Sequence, residues 1–316
     1  MALYSQLNEQ DIQTILQSYS VGNLQRWRLL HGGAENTNHL IETNKGTFIL
    51  TLCERKSIKE TQALAHLLEH FDNHQFSTSK IFKNRKGQLQ SSFQNKPVLL
   101  KSFLPGKVLL TPPRKVIHQI GAQLGQLHQV PVPAYLPKQF SYGQQTFTSL
   151  YASDTNHPFP LWLRKKRALI VQKSASNLTK VLIHGDVFTS NVIVAPDGKP
   201  TVMDFEEACH YYRVFDLGMA IVGLCSSEGK VDLDKMNALI KGYETVNPLL
   251  PKEKQQLPLF IIYAATATAF WRFRQFNLLV PNEERKEDYK EMQTIADSIK
   301  LETSDWWPTK SIYESN

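Results

Sequence analysis

Leu182-Ile183-His184-Gly185-Asp186-Val187-Phe188-Thr189-Ser190-Asn191 runs on through Val192-Ile193-Val194-Ala195-Pro196-Asp197-Gly198-Lys199-Pro200-Thr201-Val202-Met203 to Asp204-Phe205. Val192, Ile193 and Val194 are β-branched, Pro196-Asp197-Gly198 has strong turn chemistry, and Thr201-Val202-Met203 resumes an extended run. The expected hairpin returns Asp204 to the side of Asn191. H-x-D alone and D-F alone are common, but H-x-D-x-x-x-x-N followed by a hairpin and a further Asp is restrictive. Phosphoryl transfer needs such a set: a hydroxyl positioned in line with the γ-phosphoryl group, and metal ions that neutralise the phosphates. Asp186 is the expected acceptor of the hydroxyl proton, and Asn191 and Asp204 are the expected oxygen ligands of Mg²⁺. His184 reads as a structural histidine that orients the loop, not as an acid or base.

The rest of the chain bounds this reading. Its 316 residues have length for roughly two domains. Hydrophobic residues at 41% and charged residues at 21% exclude a disordered chain. No segment approaches the ~18 consecutive apolar residues of a membrane span. Met1-Ala2-Leu3-Tyr4-Ser5-Gln6 has neither a basic nor an apolar leader region, so a cytoplasmic location is expected, with no membrane partner. Cys53, Cys209 and Cys225 are odd in number and widely spaced, which argues for reduced thiols over a disulfide framework or zinc site. The net charge of +7 is spread along the chain, and its one dense run, Arg164-Lys165-Lys166-Arg167, reads as the solvated face of a helix. Nucleic acid is therefore not an expected partner.

Along the chain, the first ~100 residues alternate strand signals with one helix. Leu40–Thr43 and Thr47–Leu52 flank Asn44-Lys45-Gly46, a hairpin turn. Ser57 with Glu60 forms a capping box ahead of Ala63, Leu64, Leu67 and Leu68 at helical spacing. Pro97–Phe103 reads as a last strand, and Leu104-Pro105-Gly106 breaks it, which sets expected domains at 1–104 and 105–316. Beyond the break the chain reads as mainly helical. Ile117, Ile120, Leu124 and Leu127 form an apolar stripe, and Gly121 with Gly125 a small-residue stripe for close helix packing. Residues 131–163 read as a long irregular connection, with helices expected at 164–178, 215–225, 232–246, 255–277 and 282–300. Asp216 is expected as an N-cap or as an anchor for the backbone amides of the H-x-D loop.

His31-Gly32-Gly33-Ala34-Glu35-Asn36-Thr37-Asn38 could aim backbone amides at an anion. A plain turn is the alternative for that composition, and the position between early strands favours a phosphate loop. Taken together with Phe48–Arg55, Phe103-Leu104-Pro105-Gly106, Gly125-Gln126-Leu127-His128, Asp204–Cys209, Asp216-Leu217 and Phe270-Trp271-Arg272-Phe273-Arg274, the chain resembles the aminoglycoside phosphotransferase and choline kinase superfamily. Within it the nearest likeness is to the type II homoserine kinases, and it spans nearly the whole chain. The resemblance implies an α+β, bilobal protein-kinase-like fold with a small antiparallel-sheet N-lobe and a mainly helical C-lobe. It also implies ATP and Mg²⁺ as cofactors. Gly32, Gly33, Asn36, Thr37 and Asn38 would bind the phosphates, and the connection at Ser102, Phe103 and Leu104 would bind adenine through its backbone.

Two departures accompany the resemblance. Thr51 stands where most kinases of this architecture carry a lysine on the third strand, a feature shared with the homoserine kinase group, and loop amides, Arg55 or Lys56 are the replacements to consider. Val222-Gly223-Leu224 and Glu206-Glu207 replace polar and aromatic-amide residues near the expected acceptor site. Adjacent carboxylates favour an ammonium group, so Glu206 is read as its partner, with Trp271 and Arg274 on the acceptor side and Arg274 taking an α-carboxylate. The expected function is ATP-dependent phosphorylation of the hydroxyl of a small amino alcohol, most naturally L-homoserine. Choline, an aminoglycoside or a sugar are alternative acceptors, and a nucleotide-binding module without turnover is the alternative of another class. The residues give no reading of oligomeric state.

Overall fold

Side-chain alternation in Gly46–Cys53 explains the first half of the molecule. Phe48, Leu50 and Leu52 face one side and Thr51 and Cys53 the other, and all are buried, so this strand needs a cover on both faces. The computed structural model describes residues 5–30, 36–151 and 157–301, and the chain divides into two units, residues 1–106 and 107–316. The first unit holds β1 (Leu24–Leu30), β2 (Asn36–Thr43), β3 (Gly46–Cys53), β4 (Ser91–Phe93) and β5 (Lys96–Ser102). They form one antiparallel sheet in the order β1-β2-β3-β5-β4.

Two helices cover this sheet, where the sequence led us to expect one. α1 (Glu9–Leu16) packs Ile12, Ile15 and Leu16 against Phe48, Leu50, Leu52, Val98 and Leu100. It is only eight residues long, too short for a clear periodic signal, and is held by a reciprocal Asn8–Asp11 capping box. α2 (Ile58–Asn73) brings Ala65 to Cys53 and Leu99 on the opposite face. Its capping box is the expected one: the Ser57 hydroxyl accepts from the Glu60 amide, and the Glu60 carboxylate accepts from the Ser57 amide at 2.8 Å. Glu60 is thereby committed to the cap. Ser57→Ala should cost about 1 kcal/mol, read as a lowered urea midpoint at unchanged slope; an unaltered midpoint would show that the cap adds nothing.

The second unit is mainly helical. α3 (Arg114–Leu127) carries the expected apolar face, and its small-residue stripe meets α6 (Leu233–Glu244) at backbone distance. A methyl on Gly121 would lie 2.0 Å from the Leu239 carbonyl oxygen, and one on Gly242 would lie 1.9 Å from that of His118. The two glycines thus make a reciprocal notch that no other residue fits. α5 (Arg213–Leu224) is buried almost throughout against α7 (Pro251–Phe273), and its Arg213 is paired with Glu253 in that interior.

Several expected boundaries move, each for a local reason. α4 spans Pro158–Lys173, not 164–178, because prolines that read as breakers are tolerated in a first helical turn. His157 caps it by accepting from the Phe159 amide. The basic run lies on α4, with Lys166 donating to the Ala296 carbonyl and Arg167 to that of Gln144. α7 likewise starts early, at Pro251, and carries Pro258 within it; Arg274–Leu279 continue it as a π-helix. α8 (Tyr289–Ser298) is shorter than the expected 282–300. Eight α-helices and an antiparallel five-stranded sheet among the described residues make the fold α+β.

Candidate active site

The H-x-D segment is held at both ends by strand pairing. β6 (Lys180–Ile183) pairs with β9 (Cys209–Tyr212) before the loop, and β7 (Val192–Val194) pairs with β8 (Pro200–Val202) as the expected hairpin after it. The Met203 amide donates to the Asn191 carbonyl at 2.9 Å, so the hairpin closes directly beside Asp204. Between the strands the chain turns sharply at Gly185, whose φ is +84°. A methyl there would meet the Glu207 carbonyl at 2.8 Å and the Phe140 ring at 2.9 Å, so glycine is required by conformation and by space.

Asp216 fixes this turn from below. It is fully buried, and its carboxylate accepts from the amides of His184 (2.9 Å) and Gly185 (2.7 Å) and from His128 Nε2 (2.9 Å). His128 Nδ1 in turn lies 2.8 Å from the Tyr243 hydroxyl. Burial alone would raise the Asp216 carboxyl, but the His128 hydrogen bond and charge, with the loop amide, hold it below the ordinary carboxylate value. Of the two roles expected for Asp216, the anchor is therefore observed. The N-cap is not, because α5 begins three residues earlier at Arg213, with Tyr212 in the cap position.

His184 is fully buried, and its Nε2 lies 2.9 Å from the Met203 carbonyl while its Nδ1 faces the Asp186 amide at 3.1 Å. The first must donate and the second accept, which assigns a neutral Nε2–H imidazole. Burial pushes its pKa down, in keeping with that form. The histidine therefore braces two backbone segments, with both ring nitrogens committed to them.

Asp186 has both carboxylate oxygens engaged. Asn191 Nδ2 donates to Oδ2 at 2.9 Å and to the Asp186 carbonyl at 2.8 Å, and the Tyr142 hydroxyl donates to Oδ1 at 3.3 Å. Burial, followed by the charges of Asp204 and Glu207, raises its pKa to about 7. The same surroundings push the Tyr142 phenol well above its ordinary value, so it remains a donor. Tyr142 was invisible in the sequence: it lies in the irregular 131–163 stretch, and no spacing ties it to residue 186. The charge of Glu207, which accepts from the Ser141 hydroxyl, bears on Asp186; Glu206 beside it is likewise half-buried.

Asn191 and Asp204 suit a hard cation. Because the Asn191 amide nitrogen is used twice by Asp186, its Oδ1 is left pointing elsewhere, with only a long 3.5 Å approach from Ser190 among the described residues. Asp204 is exposed, has no partner among the described residues, and adopts φ +68°, a left-handed conformation uncommon outside glycine. One carboxylate and one amide oxygen are too few for an all-protein cage, but they match Mg²⁺, which takes one or two protein ligands with substrate phosphates.

The remaining expected site residues are more scattered. Gly32 and Gly33 lie outside the described residues. Asn36, Thr37 and Asn38 are not in a loop: they belong to β2 and pair with Cys53, Leu52 and Thr51. The Thr37 hydroxyl donates to Glu54 at 2.6 Å, and the Thr51 hydroxyl, at the position of the missing lysine, donates to Asn38 Oδ1 at 2.7 Å. Glu54 is paired with Lys96, while Arg55 is exposed. The Ser102 amide donates to the Lys80 carbonyl at 2.8 Å and the Phe103 amide to that of Thr47 at 3.4 Å; the Leu104 amide makes no hydrogen bond among the described residues. Trp271 is half-buried and meets Phe276 edge-on. Arg274 is exposed on the π-helix and unpaired among the described residues, whereas Arg272 is paired with Glu291.

Residues 26–249, more than two-thirds of the chain, match the model of the phosphotransferase enzyme family. A homoserine kinase of Parvibaculum lavamentivorans is 27% identical over 287 residues, covering 88% of this chain and 89% of that protein. A homoserine kinase of a Caulobacter species is 28% identical, covering 84% and 86%. Among solved structures, an amicoumacin kinase in complex with AMP-PNP and Ca²⁺ superposes with a TM-score of 0.73 at 15% identity, covering 93% of this chain and 95% of that one. The H-x-D loop with its anchor and hairpin falls inside residues 26–249. The chain belongs to the phosphotransferase enzyme family.

Proposed function

We propose that this phosphotransferase is an ATP- and Mg²⁺-dependent homoserine kinase, acting in the cytoplasm on the side-chain hydroxyl of L-homoserine. The observation that carries the acceptor is the length of the likeness to homoserine kinases, which spans about nine-tenths of both chains. The observation that carries the chemistry is the Asp186–Asn191 pair on its anchored loop. In this reading residues 1–106 contribute nucleotide binding and residues 107–316 the catalytic loop and acceptor site.

Asp186 accepts the proton of the acceptor hydroxyl as the oxygen attacks the γ-phosphorus and ADP leaves. Its raised pKa makes it basic enough to take that proton near neutrality without being fully protonated there. Asn191 and Asp204 would hold Mg²⁺, which neutralises charge on the phosphates when bound with ATP. A homoserine acceptor offers an ammonium and a carboxylate besides the hydroxyl. Glu207, whose charge bears on Asp186, and Glu206 beside it are the carboxylates for the ammonium, and the exposed guanidinium of Arg274 suits the carboxylate.

Asp204→Ala should weaken Mg²⁺-dependent nucleotide binding by roughly tenfold or more, because a carboxylate on the metal acts in ground and transition states alike. Titration of ATP with and without Mg²⁺ measures this, and an unchanged Mg²⁺ dependence would remove Asp204 from the metal site. Coupled ADP release with homoserine, choline, ethanolamine, methylthioribose and kanamycin at equal concentrations tests the acceptor. Homoserine should give the highest kcat/KM; choline or kanamycin ahead of it by about tenfold would overturn the acceptor while sparing the chemistry. Arg274→Ala should raise KM for homoserine roughly 10- to 100-fold, the worth of a hydrogen bond to a charged group, and leave ethanolamine, which has no carboxylate, unaffected.

A further inference from the structure

We infer that Tyr142 is a positioning residue for the transfer step: a braced irregular loop delivers its hydroxyl to the Asp186 carboxylate and fixes the rotation of that group. The inference rests on the proposed function only in taking Asp186 as the base.

Residues 140–146 belong to no regular helix or strand, and such segments are ordinarily exposed and loosely held. This one is tied down, and only Ser141 in it is exposed. Phe140 is fully buried and Tyr142 is 8% exposed. The Phe140 ring packs at a tilt against Tyr142 and Phe215, with centroids 4.2 Å and 4.7 Å away, and it occupies the space that a side chain at Gly185 would need. The loop therefore packs directly on the backbone that carries Asp186. Hydrogen bonds tie it on both flanks of Tyr142. The Ser141 hydroxyl donates to Glu207, the Gln144 amide to the Tyr263 hydroxyl at 2.8 Å, the Gln145 side chain to the Phe140 carbonyl at 2.6 Å, and Arg167 Nε to the Gln144 carbonyl at 2.9 Å.

This bracing converges on one polar contact. Asn191 already holds Asp186 Oδ2, and one donor on one oxygen leaves the carboxylate free to swing; Tyr142 supplies the second point, on Oδ1. Each carboxylate oxygen has more than one lone-pair direction, so both donors leave room for the acceptor hydroxyl. At 3.3 Å the contact is long for an O–H···O bond. Catalytic hydrogen bonds are often long before substrate binds and tighten in the complex.

Tyr142→Phe keeps the ring and deletes the hydroxyl. In the full-length protein kcat should fall roughly 3- to 30-fold while KM for ATP and for the acceptor stays within about twofold. An unchanged kcat, or a change confined to the acceptor KM, would overturn the role. If the acceptor panel selects an acceptor other than homoserine, the same comparison is made with that one, so an error in the acceptor does not touch this test. A second measurement needs no turnover: a urea double-mutant cycle of Tyr142→Phe with Asp186→Ala at pH 8. The double variant should depart from the sum of the single changes in the direction of a lost attraction. Strict additivity would overturn the inference even if the enzyme proved silent with every acceptor.

Discussion

Asp186→Asn is expected to lower kcat by roughly 10²- to 10⁴-fold, the contribution of a positioned general base, and at the same time to make the metal-free protein more stable at pH 8. The second effect follows from the surroundings of the carboxylate. Its pKa rises from an ordinary 3.8 to about 7 through burial and the charges of Asp204 and Glu207. Between those two values the folded state holds a proton that the unfolded state has released, so wild-type stability falls as pH rises through this window and stays lowered above it. A shift from 3.8 to about 7 corresponds to about 4 kcal/mol. Because the carboxylate is partly accessible, about 1–3 kcal/mol is the expected gain for the uncharged variant at pH 8, shrinking to near zero by about pH 4. The asparagine can still accept from Asn191 and face the Tyr142 hydroxyl with its amide. Urea denaturation of both proteins at the two pH values, with single-turnover kinetics at pH 8, reads both effects. Near-normal turnover would exclude Asp186 as the base, and a less stable variant at pH 8 would contradict the electrostatic account.

The largest loss of stability is expected from Asp216→Ala, at about 3–5 kcal/mol. The substitution strands three donors in the interior: the amides of His184 and Gly185 and Nε2 of His128. A single water in the space left by the carboxylate has two lone pairs and cannot satisfy all three donors, and the Tyr243–His128 contact loses its far anchor. Asp216→Asn should be milder, because one oxygen remains to accept, though its amide then faces a donor. Both variants should also lose activity, since the backbone they release is the one that orients Asp186. A urea midpoint for Asp216→Ala close to wild type would mean that the loop is held by its flanking strands alone.

What the sequence revealed and what it hid divide along physical lines. The β7–β8 hairpin, which returns the chain to the side of Asn191, was legible because local spacing and turn chemistry determine it, whereas the hydrogen bond from Asn191 to Asp186 had no such signal. Gly121 and Gly125 announced a close helix approach, though not that Gly242 would answer from the partner helix. Asp216 was legible as an anchor but not in position, since the apolar run of α5 gives no sign that its first turn starts at Arg213. Asn36, Thr37 and Asn38 were misread as loop because their polar side chains hide a strand whose partners, Cys53 to Thr51, lie across a turn. Tyr142 and Glu207 could not be assigned, because what brings them to Asp186 is tertiary: a loop with no period, packed on a glycine.

The central claim is that Asp186, held by Asn191 on the loop anchored by Asp216, activates the hydroxyl of L-homoserine toward the γ-phosphoryl group of ATP. Mass spectrometry of the products formed from ATP, Mg²⁺ and L-homoserine, run in parallel with the wild-type protein and the folded Asp186→Asn variant, tests it directly. The account predicts O-phosphohomoserine and ADP in equal amounts from the wild type, and no more than a trace from the variant. Phosphohomoserine formed equally by both proteins, or ADP released by the wild type without any phosphorylated homoserine, would contradict it.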